Sequence, residues 1–233
     1  MLFQRLIAIF TLLPIRIRRF LTHLLFGFRQ IKRTYVKTPA ERAWGRWLLF
    51  WLLEALVLLL DIIGVGELYE ILHGWIKWKS RPLSPVERQM AEPYFGKSLD
   101  WQRIRIDDRA KLGTQKGKVC YVTFHIINCH GAMEPSLFMH EMVHIWQYTK
   151  VGSVYILRAL WAQHTPAGYN YGGASALQGH QDLWAFNYEQ MADIIADGFR
   201  LKQGQAPQWG FATRPNHSIY EPFLRQLAGN NMV

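Results

Sequence analysis

The first 66 residues are rich in apolar side chains, which follow two different patterns. From Ile17 to Ile31, apolar residues recur every three or four positions, as they do on one face of an α-helix. From Trp47 to Gly66 they are nearly continuous and are interrupted only by Glu54 and Asp61 among charged residues. The first pattern predicts a helix lying in a membrane interface, and the second predicts a transmembrane helix over residues 47–66.

The two acids in the apolar segment leave a second interpretation open. A carboxylate at the centre of a bilayer costs about 2.5–3.5 kcal/mol, and the apolar residues of the segment together return roughly 5–6 kcal/mol. Because Glu54 and Asp61 are seven residues apart, they share one helix face. We expect this polar stripe to pack against the N-terminal helices while the other faces meet lipid. The alternative is a buried helix of a soluble domain.

After residue 80 the pattern changes to that of an α+β domain. Ser84 and Glu87 have the spacing of a capping box and predict a helix near 85–95. Strands are predicted near 103–107 and 119–127, and helices near 135–150, 153–164 and 180–201, with a glycine-rich loop at 166–179. We therefore predict a helical, membrane-associated region over residues 1–80 and a metal-binding α+β domain over residues 81–233.

Charge is concentrated at the N-terminus. Residues 1–46 carry ten basic groups and one acid, and so account for +9 of the formal net charge of +10. Their arginines are interleaved with Leu, Ile and Phe, which favours anionic lipid, bound through residues 1–66, as the partner. Nucleic acid is not expected. If residues 47–66 span a bacterial inner membrane, the positive-inside rule places the N-terminus in the cytoplasm and the C-terminal domain in the periplasm.

Composition excludes two further classes of protein. With 19% charged and 14% aromatic residues, the chain is not intrinsically disordered. Two cysteines cannot hold together a small secreted disulfide scaffold. Cys120 and Cys129 either pair outside the cytoplasm or are two buried thiols.

The sharpest chemical signal is an HExxH motif within a helix-forming stretch. His140 and His144 are four residues apart, so both imidazoles project from one helix face and can reach one zinc ion. Glu141 lies beside the first histidine, where its carboxylate can take a proton from water activated by the metal. The apolar residues between and around them are typical of an active-site helix buried in a domain.

A catalytic zinc ion usually has a third protein ligand. Glu189 is the best candidate because it lies in a second helical stretch, and Asp193, one turn later, can orient a ligand histidine. His180, His164 and Asp193 are the alternative third ligands. Candidate hydrogen-bond donors to an oxyanion are Tyr169, Tyr171, His164 and His180, although ordinary packing is the alternative for each tyrosine.

Three stretches resemble a known family. These are residues 82–107, FMHEMVHIWQY at 138–148, and residues 169–199, which span about half of the chain and none of the N-terminal region. They are similar to zincin-like bacterial proteins related to the Vgr-associated and contractile-injection-system metallopeptidase-like domains. The resemblance implies a zincin fold of gluzincin type, with His140 and His144 as zinc ligands, Glu141 as general base and Glu189 as third ligand.

These observations lead to two hypotheses about function. The first is a membrane-associated zinc-dependent hydrolase, a metallopeptidase that cleaves an amide bond in a peptide or a peptide-containing polymer. The second is a non-catalytic, membrane-tethered zinc-binding module that serves structure or partner docking. An open coordination position on the metal favours the enzyme, and a closed one favours the module.

Overall fold

The computed structural model describes residues 2–35, 44–76, 80–111, 113–114, 119–209 and 216–229. The N-terminal part consists of helices α1 Leu2–Thr11, α2 Leu13–Tyr35, α3 Trp44–Ile62 and α4 Val65–Ile76. The later helices are α5 Pro85–Phe95, α6 Pro135–Val151, α7 Val154–Gln163, α8 Gly173–Gln178, α9 Tyr188–Lys202 and α10 Glu221–Leu227. The strands are β1 Arg81–Pro82, β2 Arg105–Asp107, β3 Tyr121–Thr123 and β4 Ile126–Asn128. The chain is thus α+β, as predicted.

The four strands form one small mixed sheet in the order β1-β2-β4-β3. The central pair, β2 and β4, is parallel, with Ile106 opposite Ile127, and β3 pairs antiparallel with β4 in a hairpin. Cys120 precedes β3 and Cys129 follows β4, so both lie at the open end of this hairpin. They form a disulfide, with Cα atoms 4.6 Å apart. Of the two interpretations that the sequence left open for these cysteines, the structure therefore shows pairing.

The apolar core lies between this sheet and the two long helices α6 and α9. It includes Ile106 and Ile127 of the sheet, Met139 of α6 and Ile194 of α9, all at most 1% exposed. Burial of large aliphatic side chains stabilises the domain by about 1.5–3 kcal/mol each. The close packing of α6 on α9 is what brings their polar residues together in the site described below.

Most of the element predictions after residue 80 are confirmed. The capping box at the start of α5 is present, because the Ser84 hydroxyl accepts from the Glu87 amide and the Glu87 carboxylate accepts from Ser84. The helix predicted over 180–201 is instead a 3₁₀ turn followed by α9, because Asn187 caps α9 in a reciprocal box with Gln190. The loop predicted over 166–179 contains the short helix α8, and the sequence patterns did not predict β1 or α10.

The prediction of one continuous transmembrane helix over residues 47–66 is wrong. Helix α3 ends at Ile62, and Gly64, with φ of +78°, turns the chain before α4 begins at Val65. Among the described residues no single helix is both long and apolar enough to cross a bilayer. The pair Trp47–Ile62 and Val65–Ile76, bent by 66°, meets the length and composition requirements only when taken together.

The polar stripe of α3 has partners in addition to those expected from the N-terminal helices. Glu54 accepts two hydrogen bonds of 2.8 Å from Arg158 of α7, and Asp61 accepts from the backbone and hydroxyl of Ser153. From the N-terminal helices, the His23 ring lies 3.5 Å from the Glu54 carboxylate. The bonds to Arg158 and Ser153 join α3 to the domain after residue 80, so the stripe contacts that domain as well as the N-terminal helices. The division at residue 80 stays a prediction.

Candidate metal centre

Helix α6 presents the HExxH residues to the interior of the domain. The helix begins after Glu134, whose side chain accepts from the backbone amides of Ser136 and Leu137, which satisfies two N–H groups that lack helical partners. His140, Glu141 and His144 are 7%, 3% and 6% exposed. Local sequence therefore fixes the start of the helix, and its apolar neighbours bury the polar side chains.

Three atoms from two helices form a nearly equilateral triangle. The Nε2 atoms of His140 and His144 are 3.1 Å apart, and the Glu189 Oε2 atom lies 3.2 Å from the first and 3.4 Å from the second. A tetrahedral zinc ion with bonds of about 2.0–2.1 Å requires ligand atoms roughly 3.3 Å apart. The three side chains thus have the spacing of a metal-binding cluster.

The hydrogen bonds behind the imidazoles determine their tautomers. The Gln147 amide nitrogen donates to the Tyr188 carbonyl at 2.8 Å, so the amide oxygen faces His144 Nδ1 at 2.9 Å. His144 must therefore carry its proton on Nδ1. His140 Nδ1 lies 2.7 Å from a carboxylate oxygen of Asp193 and donates to it. In the neutral form of either histidine, Nε2 is left with a lone pair.

Glu189 adds a third lone-pair atom to the cluster. Its Oε1 atom accepts from the Gln163 amide at 2.8 Å, which leaves Oε2 facing the two imidazoles. Three acceptor atoms within 3.4 Å of one another repel unless a proton or a cation lies among them. The donor set, two imidazoles and a carboxylate held by further hydrogen bonds, fits a divalent transition metal such as zinc.

The electrostatics of the cluster also favour positive charge. Burial lowers the pKa of His140, but hydrogen bonds to Asp193 and Glu189 outweigh it, and the net pKa lies well above its ordinary value. Burial raises the pKa of Glu189, but the neighbouring His144 and His140 outweigh it and hold the pKa of this carboxyl far below its usual range. The cluster therefore stabilises a cation at its centre.

Glu141 is the one member of the motif outside the triangle. One of its carboxylate oxygens, Oε2, is fully buried and has no hydrogen-bond partner among the described residues. Burial raises the pKa of this carboxyl above its ordinary value. An unpaired buried carboxylate costs stability, and such groups are characteristic of catalytic bases.

The structure separates the other candidate residues into two groups. Tyr169 lies beside the cluster, with its ring 6.0 Å from that of His140, and is 37% exposed. The Tyr171 hydroxyl instead bonds Asp197 at 2.8 Å and Tyr220 at 2.7 Å, in the apolar core. His164 and His180 are exposed, and no hydrogen bond or ring contact joins either to the cluster in the part of the chain described. Asp193 orients His140 and does not complete the triangle.

Sequence reasoning missed the polar residues that support the cluster. Gln147 and Gln163 hold His144 and Glu189, and the Trp209 indole N–H donates to Asp193. Trp209 is placed by Asp197, whose carboxylate accepts from the backbone amides of Gln208 and Trp209. Gln147 follows the motif by one helical turn, a spacing that could have indicated it, whereas nothing in the sequence pattern singles out Trp209.

One comparison with known proteins gives a match. The chain is 30% identical over 153 residues to the type VI secretion system spike protein VgrG2b of Pseudomonas aeruginosa. The aligned part covers 60% of this chain but only 14% of that protein, so the similarity concerns a small segment of the spike. No protein-family model matches the chain, and no solved structure matches it.

Proposed function

We propose that the protein is a zinc-dependent hydrolase of zincin type that cleaves an amide bond in a peptide or a peptide-containing polymer. The observation that carries this proposal is the convergence of three lone-pair atoms from His140, His144 and Glu189 beside the unpaired carboxylate of Glu141. A structural site needs no such additional buried base, because its ligands alone satisfy the metal.

Each residue of the candidate site would have a separate role in this reaction. His140, His144 and Glu189 would hold the zinc ion, which when bound supplies Lewis acidity toward water and a substrate carbonyl. Glu141 would accept a proton from the attacking water and pass it to the leaving amine. Asp193 and Gln147 would keep both imidazoles in the tautomer that presents Nε2. Tyr169, partly exposed beside His140, would donate a hydrogen bond to the developing oxyanion.

The similarity to a segment of VgrG2b supports association with a secretion system as part of this proposal. That protein is named as a spike protein, and this chain corresponds to a small part of it. The activity and assembly of the whole spike do not transfer to the chain on that basis. What the similarity supports is that a segment like part of this chain occurs in a protein of such a system.

The experiment that tests the proposal is a zinc measurement on three forms of the full chain. We expect about one zinc ion per chain in the wild type and in Glu141→Gln, and none in His144→Ala. Zinc-loaded wild type should cleave a mixture of unmodified peptides, whereas Glu141→Gln should lose activity while it retains the metal. Absence of zinc from all three forms, after growth with ample metal, would contradict the metal site.

A non-catalytic zinc-binding module is the second candidate, and burial favours it. All four motif and ligand side chains are at most 7% exposed, which leaves a substrate little direct access. Retention of zinc by wild type and Glu141→Gln, with no cleavage by either, would support the module and contradict the hydrolase.

A further inference from the structure

Helices α1 to α4 expose apolar side chains and bury charged ones, which is the reverse of a soluble helix bundle. Of the large apolar side chains that are at least 36% exposed among the described residues, 22 lie before residue 77 and five after it. The most exposed include Phe3, Phe10, Leu25 and Ile76, at 73–76%. Large exposed apolar patches mark surfaces that a partner or a membrane covers. This outer apolar face, on α1 to α4, therefore needs a covering partner.

The interior of the same four helices is ionic. Arg5, Arg16, Glu54, Glu67 and Glu70 are at most 3% exposed. Arg5 pairs with Glu70 at 3.0 Å, and Arg16 pairs with Glu67 at 2.6 Å. Apolar residues outside and paired charges inside are what a hydrocarbon environment requires, because lipid solvates the apolar face and excludes unpaired charge.

A basic cleft opens where these helices meet the metal-binding domain. It has a volume of about 300 Å³ and is lined by α2, α3, α6 and α7. Its cations are Arg18 and Arg19 of α2, Lys150 of α6 and Arg158 of α7. Ile15, Leu58, Val151 and Val154 supply apolar walls beside them.

The cations of the cleft are only partly neutralised. Arg158 binds Glu54 in a bidentate pair, and the Arg19 guanidinium donates to the Thr149 carbonyl. Asp61 is the other nearby acid; it accepts from Ser153 and also attracts the Arg19 guanidinium. Four cations against two carboxylates leave a net positive cleft bordered by apolar surface. That combination suits a phosphate group that carries acyl chains.

We propose that the apolar outer face of α1 to α4 is embedded in a lipid bilayer and that this basic cleft binds the phosphate headgroup of an anionic phospholipid. The ionic interior joins this layer to the domain, because Arg103 ahead of β2 bonds both Glu67 and Glu70. Helix α7 contacts both parts, as Trp161 packs on Phe50 of α3 while Gln163 holds Glu189. Helix α7 thus links the metal centre to the helices whose outer face we place in the bilayer.

Vesicle flotation tests the proposal. The full chain is synthesised without cells in the presence of vesicles of phosphatidylcholine alone, or of phosphatidylcholine and phosphatidylglycerol at about 4:1. We expect binding to both, and tighter binding to the anionic vesicles. Arg18→Gln and Lys150→Gln should each reduce the preference for anionic vesicles by about fivefold, whereas the exposed control Arg225→Gln should leave it unchanged.

A second pair of variants tests the apolar face. Leu25→Lys should weaken binding to both kinds of vesicle, whereas Val86→Lys, at a site 67% exposed on α5, should not. Equal binding by Arg18→Gln, Lys150→Gln and wild type would overturn the headgroup site. Loss of the anionic preference on addition of millimolar inorganic phosphate at constant ionic strength would mean that free phosphate occupies the cleft. Failure to float, together with a dimer in detergent, would mean that a second copy covers the face. None of these outcomes depends on zinc.

Discussion

The helices before residue 77 and the domain after residue 80 are built on opposite rules. Among the described residues, the first region buries eight polar or charged side chains and three apolar ones, Ala8, Leu58 and Ile71. The second buries 36 apolar and 15 polar side chains, and both apolar clusters lie within it. Burial of apolar surface thus stabilises the second region, whereas paired charges fill the interior of the first.

The difference extends to the buried acids themselves. Glu54 and Glu67 in the helical region are bonded to arginines, whose charge is permanent, although one oxygen of Glu67 has no hydrogen-bond partner among the described residues. Glu189 of the domain faces two histidines, and Glu141 keeps an unpaired oxygen. Bonds to arginine compensate the buried acids of the helical region within the protein, whereas Glu189 and Glu141 leave negative charge that a bound cation can compensate.

Replacing Glu67 gives the largest expected effect and tests the ionic interior. Its Oε1 atom accepts from Arg16 at 2.6 Å and from Arg103 at 2.8 Å. Glu67→Leu leaves two buried guanidinium groups without this partner, so we expect the free energy of unfolding in detergent to fall by about 3–5 kcal/mol. Denaturant unfolding of the full chain measures the loss.

Leu68→Ala is the matched control because Leu68 is the next residue and is 46% exposed. In a soluble helix, truncating a buried leucine costs more stability than replacing a surface glutamate. In this helix the glutamate is buried and the leucine is exposed. We therefore expect the reverse order, with a cost below about 0.5 kcal/mol for Leu68→Ala in detergent. A larger cost for Leu68→Ala than for Glu67→Leu would refute the inverted polarity.

Removal of the disulfide tests what stabilises strand β3, at the edge of the sheet in the domain after residue 80. Strand β3 is at the sheet edge, and none of its residues is fully buried, so the covalent bond replaces apolar burial there. Closing a loop of this length stabilises by about 2–3 kcal/mol in the chain-entropy model. The double variant Cys120→Ser/Cys129→Ser should lose that amount in thermal unfolding. Reduction of the wild type should lower its stability equally, and no effect of reductant would show that the thiols are free.

How far the sequence predicts each region depends on the range of the contacts. The i, i+4 spacing of His140 and His144 is local, so the amino-acid order by itself indicates a shared helix face. Glu189 and Asp193 could be predicted because their helix is also recognisable from local pattern. These residues meet through the packing of α6 on α9, which the α+β pattern made possible but did not specify.

The rest depended on tertiary contacts that have no local signal. Hydropathy predicted one helix over residues 47–66 because an apolar window does not register the turn at Gly64. The partners of Glu54 and Asp61 come from Arg158 and Ser153, about a hundred residues later. A charge in an apolar segment shows that a partner is needed, but not which part of the chain supplies it.

Trp209→Phe tests whether the hydrogen bond from the Trp209 indole to Asp193 contributes to metal binding. The indole N–H donates to Asp193, which in turn accepts from His140. Loss of an outer hydrogen bond of this kind weakens metal affinity by roughly 10- to 100-fold, and we expect the lower end because Asp193 keeps its bond to His140. Competition for zinc with a chromophoric chelator measures the affinity. Trp101→Phe removes a comparable indole bond, to the Gly96 carbonyl, and should leave zinc affinity unchanged; equal losses in both variants would rule out a specific role for Trp209.

The smallest expected effect concerns Glu87, the surface counterpart of Glu67. It accepts from both terminal nitrogens of Arg81, at 2.7 and 2.8 Å, and from the Ser84 amide. Partial burial raises the pKa of Glu87, but the hydrogen bonds from Arg81 and Ser84 outweigh it, so the pKa lies below its ordinary value. The folded state therefore gains stability from ionised Glu87 above pH 4.5 or so, and loses it as the pH falls through the lowered pKa.

Glu87→Ala should cost about 1 kcal/mol at pH 7 and less at about pH 3. Both Glu87 and Arg81 are partly exposed to water, so we expect this cost to stay well below that of Glu67→Leu. An equal cost would mean that a surface ion pair can stabilise this protein as much as a buried one. A cost independent of pH would show that the capping geometry, and not the charge, provides the stability.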